Sequence, residues 1–388
     1  MGSDSLISAS RLLTPDGWIE NAGLRVDGKG KITGIARDIR PPREELWLLP
    51  GLIDTHLHGA MGCDVMDAAP ESLQTISDYL ASQGVTGFIG ATVTAPRPKV
   101  EAALTELKHS YQRGLGGAEL LGAYLEGPFL SCAQRGAHPP EYLKDPDPEL
   151  LAHYLELAGE ALKLVALAPE RQGGLAAIEL LKSRGVRVML GHSDAGFDLT
   201  HQALELGADG LVHCFNGMRG IHHRDPGVVG AGLLHPSAFI EVIADGHHLH
   251  PKAIELAYRC CGSERLLLIS DSMQATGLED GDYQLGEYPV VVKQGVVRTH
   301  DGGLAGSTLR IKLGVENIQN WLQLSLETAW RSASLTPARL LGIEDELGSL
   351  EVGKFASMVA MTPQGEIRQT WVRGMSVYSK QQEVEPCI

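Results

Sequence analysis

Two histidines separated by one residue, His56 and His58, close the apolar run GLIDTHLHGA at 51–60. Side chains two apart on a strand share a face, so both imidazoles point one way and offer nitrogen donors to a single cation. Further donors end other apolar runs: Glu126 in YLEGPF, His192 in MLGHSD and His213 in LVHCFNG. A lone strand-end histidine is more simply a hydrogen-bonded loop residue. Five donors in equivalent places favour a metal centre for Zn or another divalent first-row ion, since imidazole and carboxylate suit Zn, Fe, Mn and Co alike. Asp271 ends the run LLISDSM, where an ionised carboxylate needs a partner. It reads as an N-cap for the next segment or, beside a cation, as a general base that takes a proton from water and passes it to a leaving group. Hydrolysis is the reaction class this predicts.

Loops after these runs carry cations. GMRGIHHRDPG places His222, His223 and Arg224 after His213, and SCAQRGAHPP places Arg135 and His138 after Glu126. In an acidic protein such loops read as anion receptors or, equally, as solvated turns. Cys132 lies in the same loop, with nothing in the sequence that marks it as a reactive thiol, and reads as a bystander.

The donors need a scaffold that brings distant strand ends to one rim. Eight apolar runs, 52–58, 85–92, 119–126, 162–168, 186–192, 210–215, 239–245 and 266–271, alternate with amphipathic stretches such as 174–184 and 199–206. Eight parallel strands with crossover helices form a (β/α)8 TIM-type barrel of the α/β class, whose functional groups gather at the carboxyl ends of the strands. An open doubly wound sheet is the rival, but no GxGxxG turn follows the first run. A long helix is expected over 312–332, and a β-hairpin excursion over 283–303. Strand-like runs with turn signals at both ends predict a small β-sandwich domain built from 1–50 and 345–388 around a barrel at 51–344.

The 388 residues carry a net charge of −15 and no Lys/Arg cluster, which argues against nucleic acid as a partner. No apolar run approaches the roughly 20 residues of a membrane span. The N-terminal MGSDSLISAS lacks the basic and apolar regions of a secretory leader, and six cysteines without a CxxC pair read as reduced thiols. A cytoplasmic protein without a membrane partner is the expectation.

The stretches PGLIDTHLHG, EGPF, GAHPPE, GHSDA, HCFNGM, HHRDPG, ADGHH, SDSMQATG and LAGST together resemble the N-acetylglucosamine-6-phosphate deacetylase family of the amidohydrolase superfamily, over essentially the full length. The resemblance implies hydrolysis of an acetamide on a small sugar phosphate, giving acetate and glucosamine 6-phosphate, in a protein that is typically a homodimer. It implies a main metal site at Glu126, His192 and His213 and a second at His56 and His58, with Glu126 bridging. Asp271 matches the catalytic aspartate, and His138 a residue that polarises the substrate carbonyl. Ala137, His138, Asn216, Gly217, Arg224, His248 and the Leu304–Ala305–Gly306 backbone match substrate contacts, Arg224 holding the phosphate. The chain departs from the family pattern at Gly217, where alanine is usual, at Thr336, and at Ser357. A dihydroorotase-like enzyme acting on a cyclic amide is the enzymatic alternative, but its usual strand-four lysine has a counterpart only in Lys163, at the wrong end of that run. A metal-free scaffold of the superfamily is the non-enzymatic one.

Overall fold

The computed structural model describes residues 4–380; Cys387, the first three residues of the N-terminal run and the end of the 345–388 segment lie outside the described residues. The chain opens with β1 (Ser5–Thr14) and β2 (Gly17–Val26), joined by a two-residue turn, followed by β3 (Ile32–Ala36) and β4 (Trp47–Pro50). The barrel then begins with β5 (Leu52–Leu57), and a short arm, β6 (Gly59–Ala60) with β7 (Cys63–Asp64), follows it. Seven more strands complete the ring: β8 (Val85–Ala91), β9 (Glu119–Glu126), β10 (Leu162–Leu167), β11 (Arg187–Leu190), β12 (Gly210–Leu211), β13 (Phe239–Ile243) and β14 (Leu266–Ile269). They pair in parallel in chain order from β5 to β14. This is a (β/α)8 barrel, as the run spacing predicts.

The ring closes at its carboxyl end, where the Asp271 amide donates to the His56 carbonyl (2.9 Å) and the His58 amide to that of Ser272 (2.7 Å). Strands buried on both faces read as continuous apolar runs, which is why they were visible in the sequence. Alternation divides them: Val165, Leu167, Val188, Leu190, Leu266 and Leu268 pack outward on the helices, whereas Leu164, Ala166, Met189, Leu267 and Ile269 fill the barrel with Tyr124.

Both chain ends join one sheet. After the barrel come β18 (Met358–Met361), β19 (Ile367–Val372) and β20 (Met375–Ser379), preceded by the inserted β15 (Gly281–Leu285), β16 (Tyr288–Lys293) and β17 (Val296–Thr299). β18 pairs antiparallel with β4, which pairs parallel with β1, giving the order β20-β19-β18-β4-β1-β2-β3. The sheet curls until Ile32 exchanges backbone hydrogen bonds with Gly353 and Lys354, enclosing Leu12, Leu24, Leu48, Met358 and Trp371 between its halves.

Two local expectations need correction. The helix expected over 312–332 is broken into Ile311–Leu322 and Leu326–Arg331, because Gln323 takes a left-handed conformation (φ 55°) and Ser325 caps the second piece by accepting from the Thr328 amide. The excursion at 283–303 is a three-stranded antiparallel sheet rather than a hairpin.

Candidate metal centre and its cavity

The six chemistry-bearing residues of the strand ends converge. Glu126, last in β9, points inward two residues after Tyr124, and its carboxylate divides between two histidine groups. Oε1 lies 3.0 Å from His213 Nε2 and 3.3 Å from His192 Nε2; Oε2 lies 3.3 Å from His58 Nε2 and 3.4 Å from His56 Nε2. Asp271 Oδ1 completes the second group, 3.1 Å from His58 Nε2 and 3.7 Å from His56 Nε2. Two donor triads result, Glu126–His192–His213 and His56–His58–Asp271, each buried and each with ligand atoms within 4.8 Å of one another.

The rings are oriented from behind. His58, His192 and His213 donate from Nδ1 to the carbonyls of Ala91 (3.1 Å), Gln134 (2.9 Å) and Asn216 (3.2 Å). Those bonds fix the tautomer and leave Nε2 lone pairs aimed at a carboxylate, an arrangement that is favourable around a cation and repulsive without one or a proton. The donor chemistry therefore fits one or two divalent ions.

Three of these residues hold unusual backbone: His192 (φ 46°), His213 (φ 27°) and Asp271 (φ 51°) lie in the left-handed region. A non-glycine residue there costs on the order of 1–3 kcal/mol, and such strain clusters at functional sites. It also explains why β11, β12 and β14 stop short of the runs predicted for them. A residue with positive φ cannot continue the ladder, so the functional side chains stand just beyond the strand ends.

The electrostatics follow from crowding. Burial would raise the Glu126 carboxyl, but His56, His192 and His213 reverse this and hold it well below the usual range. Burial opposes protonation of His58, yet hydrogen bonding to Asp271 and Glu126 outweighs it and lifts the imidazole to about 9. Asp271 is lowered because its bond to His58 overcomes its own desolvation. His138 differs: burial, and then the neighbouring His192, push it down to about 3. Its Nδ1 accepts from the Thr94 amide (3.3 Å) and lies 2.8 Å from the Thr94 hydroxyl, which can donate to it as well; with Nδ1 the acceptor, Nε2 carries the hydrogen and faces the site, 3.9 Å from Glu126 Oε2.

A cavity of about 330 Å³ opens above this floor. Ala137, His138, Asn216, Gly217, His248, Leu304, Ala305 and Gly306 line it, as do His58, Glu126, His192, His213 and Asp271. His248 is held there by Asp245, whose Oδ2 accepts from Nδ1 at 2.7 Å. Arg224 does not line the cavity: its side chain is exposed, with Nη1 2.8 Å from His223 Nε2. Lys163 is far from the rim, its ammonium over the Tyr111 ring.

A model of the amidohydrolase family matches residues 47–377. The chain belongs to the amidohydrolase family. Among its relatives within that family, an N-acetylglucosamine-6-phosphate deacetylase of Vibrio furnissii is 53% identical over 95% of this chain and 94% of its own. An N-acetylgalactosamine-6-phosphate deacetylase of Escherichia coli O157:H7 is 45% identical over 95% of this chain and 98% of its own. The N-acetyl-D-glucosamine-6-phosphate deacetylase of Mycobacterium smegmatis, solved with N-acetyl-D-glucosamine-6-phosphate, superposes with a TM-score of 0.92 at 30% identity, covering 97% of this chain and all of that one.

Several residues of this amidohydrolase's site escaped the sequence reading. Thr299, Asp301 and Gly303 reach the cavity from the end of β17, and Val93, Ile243 and Leu285 form apolar walls. Glu241 and Asp54 are buried carboxylates inside the barrel, and burial pushes both up, Asp54 to about 6. The signal for Glu241 was present: a glutamate in the middle of the apolar run FIEVI has no reason to be there unless something in the core needs it.

Proposed function

We propose that this amidohydrolase cleaves the acetamide of N-acetyl-D-glucosamine 6-phosphate, releasing acetate and D-glucosamine 6-phosphate. The observation that carries the reading is that Asp271 and the His138 Nε2 face one cavity floored by two donor triads, with Glu126 of one triad also within 3.4 Å of the histidines of the other. The 53% identical relative supports the substrate.

Glu126, His192 and His213 would hold one ion, and His56, His58 and Asp271, with the second oxygen of Glu126, another; Zn or Fe suit these donors, as do Mn and Co. A bound ion supplies Lewis-acid polarisation of the acetamide carbonyl and a lowered pKa for water. Asp271, ionised and buried, accepts the proton of the attacking water and delivers it to the departing amine. His138, neutral, donates from Nε2 to the oxygen on which negative charge develops. Asn216, Gly217, His248 and the Leu304–Gly306 backbone contact the sugar. Arg224 is the phosphate receptor, reaching the cavity by inward movement of its loop or from a second copy in a homodimer. Five cysteines of the described residues are unpaired, which suits the reducing cytoplasm. No helix among the described residues is long and apolar enough to cross a membrane.

Acetate release from N-acetylglucosamine 6-phosphate, compared with the unphosphorylated sugar, tests the reading. Turnover confined to the phosphorylated sugar is expected. Equal rates remove Arg224 as receptor, and no release from either rejects the deacetylase. The 45% identical relative makes N-acetylgalactosamine 6-phosphate the second substrate to compare.

A further inference from the structure

Glu241 is fully buried in the barrel, and neither carboxylate oxygen has a hydrogen-bond partner among the described residues. It lies on β13 with its side chain on the interior parity of Ile243, and the basic atom nearest it is His56 Nδ1, 3.6 Å from Oε2, with His213 a further neighbour. His56 is likewise unpartnered at both nitrogens. The contrast with its neighbours is informative: His58, His192 and His213 each have a backbone carbonyl behind Nδ1, whereas the polar group behind His56 Nδ1 among the described residues is this carboxylate. The Tyr124 ring, 4.7 Å from the His56 ring, packs alongside.

An isolated carboxylate in a barrel core is costly, and it is retained where it serves a charge. When His56 Nε2 binds a cation, its Nδ1 must carry the hydrogen, and Glu241 is placed to accept it. That is the carboxylate–histidine–metal arrangement, which orients the ring and raises its basicity. We infer that Glu241 is a positioning residue for the second ion, acting through His56 to hold the His56–His58–Asp271 site filled, and that it bears much less on the Glu126–His192–His213 site. The inference rests on the two-ion form of the proposed function and concerns occupancy, not chemistry.

The test is metal binding by stripped full-length protein titrated with Co²⁺, ions per chain being counted after removal of excess and the visible ligand-field bands recorded per equivalent. Wild type is expected to take two equivalents with distinct spectra. Glu241→Gln, which keeps shape and an acceptor but loses the charge, is expected to bind the first equivalent unchanged and the second about 10–100-fold more weakly. Glu241→Met, of similar volume without an acceptor, is expected to weaken the second further and serves if the Gln variant folds poorly. Two equivalents at wild-type affinity in both variants, parallel loss of both equivalents, or a single equivalent in wild type overturns the assignment. Acetate release by the wild type is scored separately, so the deacetylase reading stands or falls on its own.

Discussion

His138 offers the sharpest test of the proposed chemistry. Its imidazole is buried, accepts from the Thr94 amide at Nδ1 and is pushed down to about 3, so at pH 7 protonating it would cost roughly 5 kcal/mol, about 1.4 kcal/mol for each of four pH units. It is therefore a neutral donor with a fixed tautomer, not an acid. Replacing it with Phe keeps a ring packed edge-on against His192 (4.6 Å between centroids) but deletes the Nε2–H together with the Nδ1 acceptor of Thr94, so part of any loss can come from the unpaired Thr94 amide. Loss of one preorganised donor to a developing oxyanion costs about 2.7–4 kcal/mol, so kcat should fall about 10²–10³-fold with KM little changed. His138→Gln, whose amide still presents an N–H, should recover part of that loss. Steady-state acetate release measured from pH 5 to 9 provides the readout, and no acid limb above pH 4 should belong to His138 in the wild type. A Phe variant with kcat within about threefold of wild type, or a loss confined to KM, refutes the donor role.

Other expectations follow from the same geometry. Asp271→Asn should lower kcat by about 10²–10⁴-fold while the ion at Glu126, His192 and His213 is retained, as elemental analysis would show. Chelation should abolish activity and divalent ions restore it, with affinity rising with pH because bound protons must leave the imidazoles first. In the metal-free protein His58, lifted to about 9, keeps a proton that the unfolded chain loses above about 6.5. Its stabilisation, on the order of 3 kcal/mol, is then complete below pH 6.5 and lost as pH rises through 9; His56 and His213 act in the same direction, and denaturant midpoints between pH 6 and 9.5 would reveal it. A stripped protein most stable at pH 9 contradicts this. Gly217→Ala places a Cβ 2.8 Å from His192 Nδ1 at a φ of +57°, so it should shift that ring and weaken the first ion, detectable by chelator competition. Unchanged affinity would mean that the His192 backing is more yielding than its bond to Gln134 implies.

The barrel was legible because its strands are buried on both faces, leaving eight apolar runs that no surface helix imitates. The metal-ligating residue types were legible because they interrupt those runs at equivalent places. What stayed hidden depends on backbone torsion and on loops. His192, His213 and Asp271 turn left-handed, so strand ends were placed too late, and nothing in their side chains announces a positive φ. Gln323 hides its helix break for the same reason. Arg224 carries the right charge for a receptor, but the direction of an exposed loop is set by tertiary contacts that composition does not record. Glu241 was passed over because a single glutamate in FIEVI is a weak periodic signal, although its desolvation makes it one of the most informative residues of the core.

The curled terminal sheet bears on how the chain is made. Trp47–Pro50 receives its antiparallel neighbour from Met358–Met361, some three hundred residues later. During synthesis one flank of that strand therefore has no cognate partner until almost the whole polypeptide has left the ribosome, and an uncovered strand flank invites pairing with other chains. A nonsense codon between Pro50 and Met358 would leave that flank permanently bare, so such products should aggregate even when every candidate metal ligand has been translated.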